Sequence, residues 1–330
     1  MPTVNIYSVA SELGSISVAT RDLLAEAGIE NCEIVESALG IRTVRHYPLG
    51  KIHSEAAISA AEKALVRSNL KSQLIDAVIY CGIEGDFSEP ATANIIADRI
   101  SLRPKICLDV SNACHGIASG IQVARSLIGN NGINYVMLVT AELSSKVTYK
   151  TIEQFKLNKP TKVELDDHIG AFTVGDAGGA IILGPASGTS GIKHIETQVE
   201  SKHFDLCKYS NHGGNLSFNM DMAKVSAITL RLAKRIIEPA YRALNWTADD
   251  VDLFIPHQVG VKPFIKTLEL TGITEDKSIA TYPELGNLAS ATIPVCFDLM
   301  QKDGRIRPGA NMLIGSSGSG IVVTFIGLTL

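Results

Sequence analysis

Cys114 stands in the stretch of this 330-residue chain whose residue types best suit covalent chemistry. Residues 106–110 alternate in polarity and favour a buried strand, while apolar residues from Gly116 onward recur at helical spacing. Gly129 then stands where a glycine commonly ends a helix. Cys114 is therefore predicted on a strand-to-helix turn, where the helix dipole favours a reactive thiolate. A buried structural cysteine is the alternative, since free cysteine is among the most buried residue types.

Two further polar residues are predicted to lie near Cys114. His257 follows the strand predicted over residues 251–256, and Asn287 lies in a loop that opens a helix near Ala289. Ligands of α/β proteins bind beyond the carboxyl ends of strands, so the three side chains are expected at one edge. Convergence of a thiol, an imidazole and an amide is difficult to explain by packing alone.

The second half of the chain repeats the plan of the first. Residues 64–79 align without gaps with residues 240–255, an offset of 176 positions that pairs Asn69 with Asn245. Each stretch reads as a helix, a short linker and a buried strand. Because such a repeat indicates two copies of one supersecondary unit, we predict a duplicated α/β protein.

The duplication predicts how the chain is organised. Residues 1–186 are expected to form an N-terminal half that carries the nucleophile, and residues 187–330 a C-terminal half that carries the histidine and the asparagine. Packing the two halves against each other implies a layered α/β/α/β/α architecture, with helices sandwiched between two sheets.

Composition excludes several classes of function. The net charge is −4, the pI is near 6.1, and the absence of a dense basic run argues against a nucleic-acid partner. The other five cysteines (Cys32, Cys81, Cys107, Cys207 and Cys296) show neither a C-x-x-C pair nor metal-ligand spacing and are interpreted as structural thiols. No apolar run of about 18 residues appears, so no membrane span and a cytoplasmic location are expected.

The motifs around these residues resemble the thiolase superfamily, and within it the β-ketoacyl-acyl-carrier-protein synthase III-like condensing enzymes. They are Asn-Ala-Cys-His-Gly at Cys114, Ile-Pro-His-Gln at His257, Leu-Gly-Asn-Leu-Ala at Asn287 and a Gly-Ser-Gly turn at Gly318. The resemblance implies a five-layered thiolase-like fold. It also implies that Cys114 attacks an acyl thioester and holds the acyl group, a role that suits a thiolate.

The resemblance assigns further roles. His257 and Asn287 would stabilise the enolate of a second thioester, and backbone N–H groups of Cys114, Gly318 and Ser319 would bind the oxyanion at the first acyl group. Degradative thiolases carry a second cysteine in the terminal glycine loop. Residues 315–320 contain none, which disfavours thiolysis. No cofactor is expected beyond the thioester arm, either a carrier protein's phosphopantetheine or coenzyme A.

Delivery by an acyl carrier protein is favoured by two departures from the family. The fatty-acid-initiating synthases clamp the adenine of coenzyme A with a Trp and an Arg, and Ile34 and Ala38 stand at those places here. Lys262 stands where the family carries an Arg, so the positive charge is kept but the paired hydrogen bonds that a guanidinium group can donate are lost. The candidate carrier-binding residues are Lys224, Arg235, Lys262 and Lys266, although a solvated helix face is an equally good interpretation.

Glu89 extends the resemblance to the branch that joins two acyl thioesters head to head, which includes olefin-pathway condensing enzymes and α-pyrone synthases. Its Glu-Pro element precedes Cys114 by 25 residues. In that branch the glutamate comes from the neighbouring subunit of a homodimer and removes an α-proton. A carboxylate that faces an apolar tunnel becomes a better base. The alternatives are a solvated loop carboxylate and the weaker candidate Glu84.

We therefore predict a homodimeric ketosynthase that condenses a Cys114-bound acyl group with a second, β-keto, acyl thioester in polyketide or fatty-acid-derived metabolism. A product that can cyclise to an α-pyrone would follow. Three alternatives stay open: decarboxylative extension with a malonyl carrier, simple acyl transfer, and an inactive partner of another synthase. The acyl chain lengths are not defined by these motifs.

Overall fold

The computed structural model of the chain describes residues 3–212 and 215–330. Two sheets of five and four strands form its centre, and two short strand pairs lie outside them. The strands are, in chain order, β1 (Val4–Leu13), β2 (Ile16–Ala19), β3 (Thr43–His46), β4 (Ile75–Tyr80), β5 (Ile106–Asp109), β6 (Tyr135–Leu143), β7 (Asp176–Pro185), β8 (Gly191–Val199), β9 (Cys207–His212), β10 (Asn215–Met220), β11 (Leu253–Pro256), β12 (Asn311–Gly318) and β13 (Val322–Thr329).

Helices cover both sheets and fill the space between them. They are α1 (Thr20–Glu26), α2 (Cys32–Leu39), α3 (His53–Ser68), α4 (Thr92–Arg99), α5 (Gly116–Leu127), α6 (Ser145–Leu157), α7 (Lys162–His168), α8 (Met222–Leu244), α9 (Val261–Thr271), α10 (Tyr282–Leu285) and α11 (Thr292–Lys302). Short 3₁₀ turns at Ala113–His115 and Ala289–Ala291 lead into α5 and α11.

The predicted α/β/α/β/α layering is confirmed. The first sheet has the order β1-β7-β6-β4-β5 and the second the order β11-β12-β13-β8. One apolar cluster joins both sheets through α5 and α11, with Ile121 and Ile293 packed among residues of β4 and β12. The Ala-rich face of α3 covers the outside of the first sheet, and α8 and α9 cover the second. Because β6 is covered on both faces, its sequence is an almost unbroken apolar run.

The repeat seen in the sequence is present in the backbone. β4 pairs in parallel with β6, with Val78 opposite Met137, and β11 pairs in parallel with β12, with Phe254 opposite Leu313. Both pairs are related by the offset of 176 positions, and so are the two 3₁₀ turns. The copied unit therefore extends from a strand pair to the head of the buried helix beside it.

Two local features differ from what the sequence pattern predicts. A serine followed by Glu55 and an Ala-rich run predicts a helix capped by Ser54, but α3 begins at His53, after Ile52, and Ser54 does not cap it. The backbone N–H of Ser54 instead donates to Oδ1 of Asp86, 3.1 Å away, so a carboxylate from another loop serves the helix start. A side chain distant in sequence cannot be recognised by a local capping pattern.

Residues 145–169 are rich in Lys, Asp and other polar residues, a composition that predicts an exposed excursion, but they contain α6 and α7 and contribute to the core. Phe155 lies 6.4 Å from Phe172 between ring centroids, and the Thr148 hydroxyl donates to the carbonyl oxygen of Ala171 at 2.6 Å. The charged residues lie on the outer face of α6, so average polarity concealed an amphipathic helix.

Candidate active site

The turn that carries Cys114 has an unusual backbone. β5 ends at Asp109, and the 3₁₀ turn Ala113–His115 leads directly into α5. Ala113 has a φ of 47°, in the left-handed region that residues other than glycine seldom adopt. Such a conformation persists where the surrounding structure fixes it, and here it places Cys114 in the wall of a cavity.

Two glycines let the neighbouring strand ends approach this turn. A Cβ atom on Gly116 would lie 2.2 Å from the carbonyl oxygen of Cys81. One on Gly318 would lie 2.9 Å from Cβ and 3.0 Å from the backbone nitrogen of His115. Neither contact is possible for a real Cβ atom, so both positions require glycine for the two halves to meet around the sulfur.

His257 enters the site from the end of β11. Its backbone N–H donates to the carbonyl oxygen of Gly315 at 2.7 Å, which fixes the residue beside β12. Burial lowers the pKa of the imidazole to about 4, and the nearby His115 acts in the same direction. His257 is therefore uncharged near neutral pH and can both accept and donate a proton.

Asn287 is held on both sides by the backbone of the first half. Its N–H donates to Thr173 at 2.7 Å, and its carbonyl accepts from Gly175 at 3.0 Å. Within its own turn, Oδ1 accepts the N–H of Ala289 at 2.9 Å. Because Oδ1 is engaged, the side-chain NH₂ group remains as the donor that faces Cys114.

The structure brings Cys114, His257 and Asn287 together in the wall of one cavity of about 100 Å³. A second cavity of about 410 Å³ shares Cys114 and Asn287 with the first. Its other walls include His53, Ile83, Glu84, Val147, Tyr209 and Phe218. The sulfur therefore lies where two cavities join, as a site that brings two substrates together requires.

The expectation of a thiol activated by the helix dipole is wrong for the free enzyme. Burial raises the pKa of Cys114 far above its ordinary value, and the neighbouring Cys207 and Glu142 add to the increase. Its own backbone N–H and the amide of Asn287 act in the opposite direction, but desolvation dominates. The thiol is neutral at rest, and the uncharged His257 is available as its proton acceptor.

The residues expected to form the oxyanion site also meet here. Gly318 ends β12, and both Gly318 and Ser319 line the small cavity beside Cys114. The Ser319 side chain is hydrogen-bonded to the thiol of Cys207. The terminal turn and the nucleophile turn are therefore neighbours, although they are 204 residues apart in sequence.

The two glutamates of the 82–91 loop lie in different surroundings. Glu84 lines the larger cavity, where its Oε1 accepts from Asn211 at 3.1 Å. Its Oε2 is 3.8 Å from Nε2 of His53. Glu89 is exposed, and among the residues that the structure describes it lines neither cavity of its own chain. A single chain thus does not bring Glu89 to Cys114.

Sequence reasoning missed most of the cavity walls, including two residues that bear on the chemistry, Glu142 and Cys207. Glu142 is only 2% exposed, and burial raises its pKa to about 8. The offset of 176 pairs it with Gly318, so the repeat contained a signal for it. Cys207, interpreted as structural, lines both cavities. It comes from the β9–β10 hairpin, and no pattern in the sequence connects that hairpin with the site.

The four candidate carrier-binding cations lie on the exposed faces of α8 and α9. These two helices also supply walls of the small cavity, including Val225 and Pro263. Two of the cations pair locally, Lys224 with Asp221 at 2.8 Å and Lys266 with Glu269 at 2.7 Å. Lys262 and Arg235 make no salt bridge within residues 3–212 and 215–330.

Comparison with known proteins agrees with this site. The two parts of the 3-oxoacyl-[acyl-carrier-protein] synthase III family match residues 108–202 and residues 241–328, together more than half of the chain. The chain belongs to this family. Members of the family form carbon–carbon bonds by acyl transfer, so the protein is a condensing acyltransferase of the synthase III type.

Individual relatives of this synthase carry two kinds of name. An acyl-CoA:acyl-CoA alkyltransferase from Shewanella oneidensis is 28% identical over 98% of both chains. A β-ketoacyl-[acyl-carrier-protein] synthase III from Rickettsia bellii is 26% identical over 92% of both chains. Among solved structures, OleA from Xanthomonas campestris with bound lauric acid and lauroyl-CoA superposes with a TM-score of 0.92, at 22% identity and 99% coverage of both chains. The fold is therefore thiolase-like.

The described part of the synthase contains neither a candidate membrane span nor a candidate metal site. Within residues 3–212 and 215–330, no helix combines the length and the apolar character that a membrane crossing needs. In the same part of the chain, no group of three or more His, Cys, Asp or Glu side chains is placed to hold a metal ion.

Proposed function

We propose that this synthase condenses two acyl thioesters head to head without decarboxylation. The observation that carries the proposal is the meeting of Cys114, the uncharged His257 and the free NH₂ group of Asn287 in one cavity. A nucleophile beside two neutral hydrogen-bond donors can hold one acyl group and stabilise the enolate of another.

The first half of the reaction loads Cys114. The thiol passes its proton to the imidazole of His257, and the sulfur attacks the carbonyl carbon of the first thioester. The bond to the departing thiol breaks, and that thiol takes the proton back from His257. The acyl group is then bound to Cys114, and the apolar part of the larger cavity, which includes Val147 and Phe218, accommodates its chain.

The second half forms the carbon–carbon bond. The carbonyl oxygen of the second thioester accepts hydrogen bonds from Asn287 and His257, and Glu89 of a second copy removes a proton from its α-carbon. The enolate carbon attacks the carbonyl of the acyl group on Cys114, whose thiolate leaves. The product is a β-ketoacyl thioester. Closure of an α-pyrone requires the β-keto group on the acyl chain bound to Cys114 and not on the second thioester. The product is then a 3,5-dioxo thioester, whose enol oxygen at C5 can attack the thioester carbonyl, expel the thiol and close the six-membered ring.

A homodimer accounts for the position of Glu89. The carboxylate lies on a loop whose Phe87 is 63% exposed, and among the described residues it lines neither cavity of its own chain. Insertion of this loop into a second copy would bury the side chain of Phe87 and at the same time bring Glu89 to the cavity of that copy. An apolar environment would also make the carboxylate a stronger base.

Delivery by an acyl carrier protein is part of the proposal. Ile34, at a position where the family resemblance places a coenzyme A clamp, is a 70% exposed aliphatic residue on α2 and offers no aromatic stack. Lys262 provides a cation on α9 that forms no salt bridge with the residues the structure describes. A comparison of lauroyl-CoA with the same acyl group on a carrier protein tests this point, and equal acylation rates would contradict it.

Substitution of the base gives the main test. In Glu89→Gln, intact-protein mass spectrometry should still show acylation of Cys114, while condensation falls by at least about 100-fold because the α-proton has no acceptor. Ser88→Ala, on the same loop, is the control. Mixed dimers of Glu89→Gln with Cys114→Ala should recover activity, since one site then has both groups. Full turnover by Glu89→Gln would remove the base assignment.

Decarboxylative condensation is the second candidate, because the Rickettsia relatives are named β-ketoacyl-[acyl-carrier-protein] synthase III. Loss of carbon dioxide would generate the carbanion, and Glu89 would then be dispensable. Incubation of the acylated enzyme with a malonyl carrier protein separates the two reactions. Stoichiometric release of carbon dioxide that Glu89→Gln leaves unchanged would favour this candidate.

A further inference from the structure

The second half of the chain contains a counterpart of the nucleophile turn. The offset of 176 positions carries Cys114 onto Ser290, and both residues follow an alanine with a φ of 47°, Ala113 and Ala289. Both also stand immediately before a buried helix, α5 or α11. Ser290 is only 1% exposed, so the second turn has no access to substrate.

Glu142 closes this second turn. The hydroxyl of Ser290 donates to Oε1 of Glu142 in a short hydrogen bond and lies 2.9 Å from the carbonyl oxygen of Cys81. Thr140 lies 2.5 Å from the same hydroxyl and 3.5 Å from Glu142. By the repeat, Glu142 stands where Gly318 stands beside Cys114. A carboxyl group therefore fills the place that a glycine leaves open in the catalytic half.

The contact with Ser290 connects Glu142 to the catalytic amide. Asn287, Ala289 and Ser290 belong to one tight turn, in which the N–H of Ala289 holds Oδ1 of Asn287 at 2.9 Å. The backbone N–H groups of Ser290 and Ile83 also face the carboxyl group of Glu142. The side chain thus ties the Asn287 turn to the loop that follows β4, across the boundary between the two halves.

We propose that Glu142 is a positioning residue for condensation, which acts through Ser290 to fix the amide of Asn287 toward the substrate carbonyl. It does not touch the reacting atoms in this role. The inference rests on the function proposed above for Asn287. Loading of Cys114 does not need the enolate site, so Glu142 should matter for condensation and hardly at all for acylation.

The first test separates the two half-reactions. Glu142→Gln keeps the size of the side chain but replaces one of its two oxygens by an NH₂ group, so the Ser290 hydroxyl and the backbone N–H groups are left with a single acceptor and the turn loses part of its support. The kcat for condensation should fall about tenfold, while the acylation rate and the KM for both thioesters stay within about twofold. Ser290→Ala breaks the same link from the other side and should show the same pattern.

A double-mutant cycle then decides whether Glu142 acts through Asn287. In the background of Asn287→Ala, Glu142→Gln should lower the kcat for condensation by less than about twofold, because the amide that Glu142 positions is absent. An equal loss of condensation in both backgrounds would overturn the inference. Asp298→Asn removes another buried carboxylate, one that binds Ser11 on the far side of α11, and should leave the ratio of condensation to acylation unchanged.

Hydrogen exchange gives a readout that is independent of turnover. The backbone amides of residues 289–291 should exchange faster in Glu142→Gln and in Ser290→Ala than in the unmodified protein, and Asp298→Asn should not change them. Unchanged exchange in both variants would overturn the inference whatever reaction the enzyme performs. If exchange quickens but Asn287→Ala condenses normally, the role proposed for Asn287 is wrong and the structural link stands.

Discussion

The cavity around Cys114 has two walls that differ in construction. The inner wall consists of Ala113, Cys114, His257, Asn287, Ala289 and residues 317–319, and the outer wall of His53, Glu84, Val147, Tyr209 and Phe218. Inner-wall residues lie at strand ends and are fixed by backbone hydrogen bonds, such as the 2.7 Å bond from the N–H of Asn287 to Thr173. Outer-wall residues are side chains of helices, loops and a hairpin.

This difference separates chemistry from substrate choice. β5 and β11 are edge strands, but the residues beyond them are fixed by backbone hydrogen bonds, such as the 2.7 Å bond from the N–H of His257 to Gly315, so the inner wall can keep reacting groups in place during turnover. Loops and peripheral helices can change shape or sequence at little cost to the core. We therefore expect variants of the inner wall to change rates and variants of the outer wall to change stability and acyl preference.

The largest effect is expected at the inner wall. Cys114→Ala removes the nucleophile, so no acyl adduct should form and turnover should fall by at least about 1,000-fold. The variant should melt at nearly the same temperature as the unmodified protein, which calorimetry can check. Cys107→Ala, which changes a thiol on β5 outside both cavities, is the control. An acyl adduct on Cys114→Ala would place the nucleophile elsewhere.

Substitutions in α6, the helix that supplies Val147 to the outer wall, should change the stability of the fold. Phe155 on α6 is 8% exposed and packs on Phe172 and His168. Phe155→Ala should lower the free energy of unfolding by about 3 kcal/mol, because it leaves a cavity in the core. Denaturant titration measures the loss, and Leu157→Ala, 76% exposed on the same helix, should cost little. Equal costs for the two variants would show that α6 is not part of the core.

The difference between the inner and the outer wall also decided which site residues could be predicted from the sequence. Cys114 and His257 follow strands whose apolar pattern is plain, and Asn287 lies in a loop that opens a helix, so the strand pattern and the motifs together placed the three residues at one site. The outer wall depends on α6 and on the β9–β10 hairpin, whose average polarity resembles that of a surface loop. Cys207 was missed for that reason. The pKa of Cys114 was predicted with the wrong sign because a sequence shows the helix dipole but not the desolvation that outweighs it.

Gly318 tests how tightly the inner wall is packed. A Cβ atom at this position would lie 3.0 Å from the backbone nitrogen of His115, so Gly318→Ala must push the nucleophile turn away. Acylation should slow by roughly tenfold to 100-fold, which is about 1.4 to 2.7 kcal/mol of activation free energy. Ser316→Ala, on the same strand, is the control. Normal acylation by Gly318→Ala would show that the turn can yield.

The smallest effect is expected at the start of α7, away from both walls of the cavity. Thr161 and Glu164 form a capping box, in which the threonine hydroxyl accepts the N–H of Glu164 at 3.3 Å and the glutamate accepts the N–H of Thr161 at 2.8 Å. Thr161→Ala should therefore cost about 1 kcal/mol of unfolding free energy and leave acylation unchanged. These contacts with Thr161 also lower the pKa of Glu164. A carboxylate with a lowered pKa stabilises the fold while it is ionised, and this stabilisation is lost as the pH falls and the group takes up a proton. The difference in unfolding free energy between Thr161→Ala and the unmodified protein should therefore shrink in acid. Urea titrations at neutral and acid pH would show this, and a difference that grows in acid would contradict the capping role.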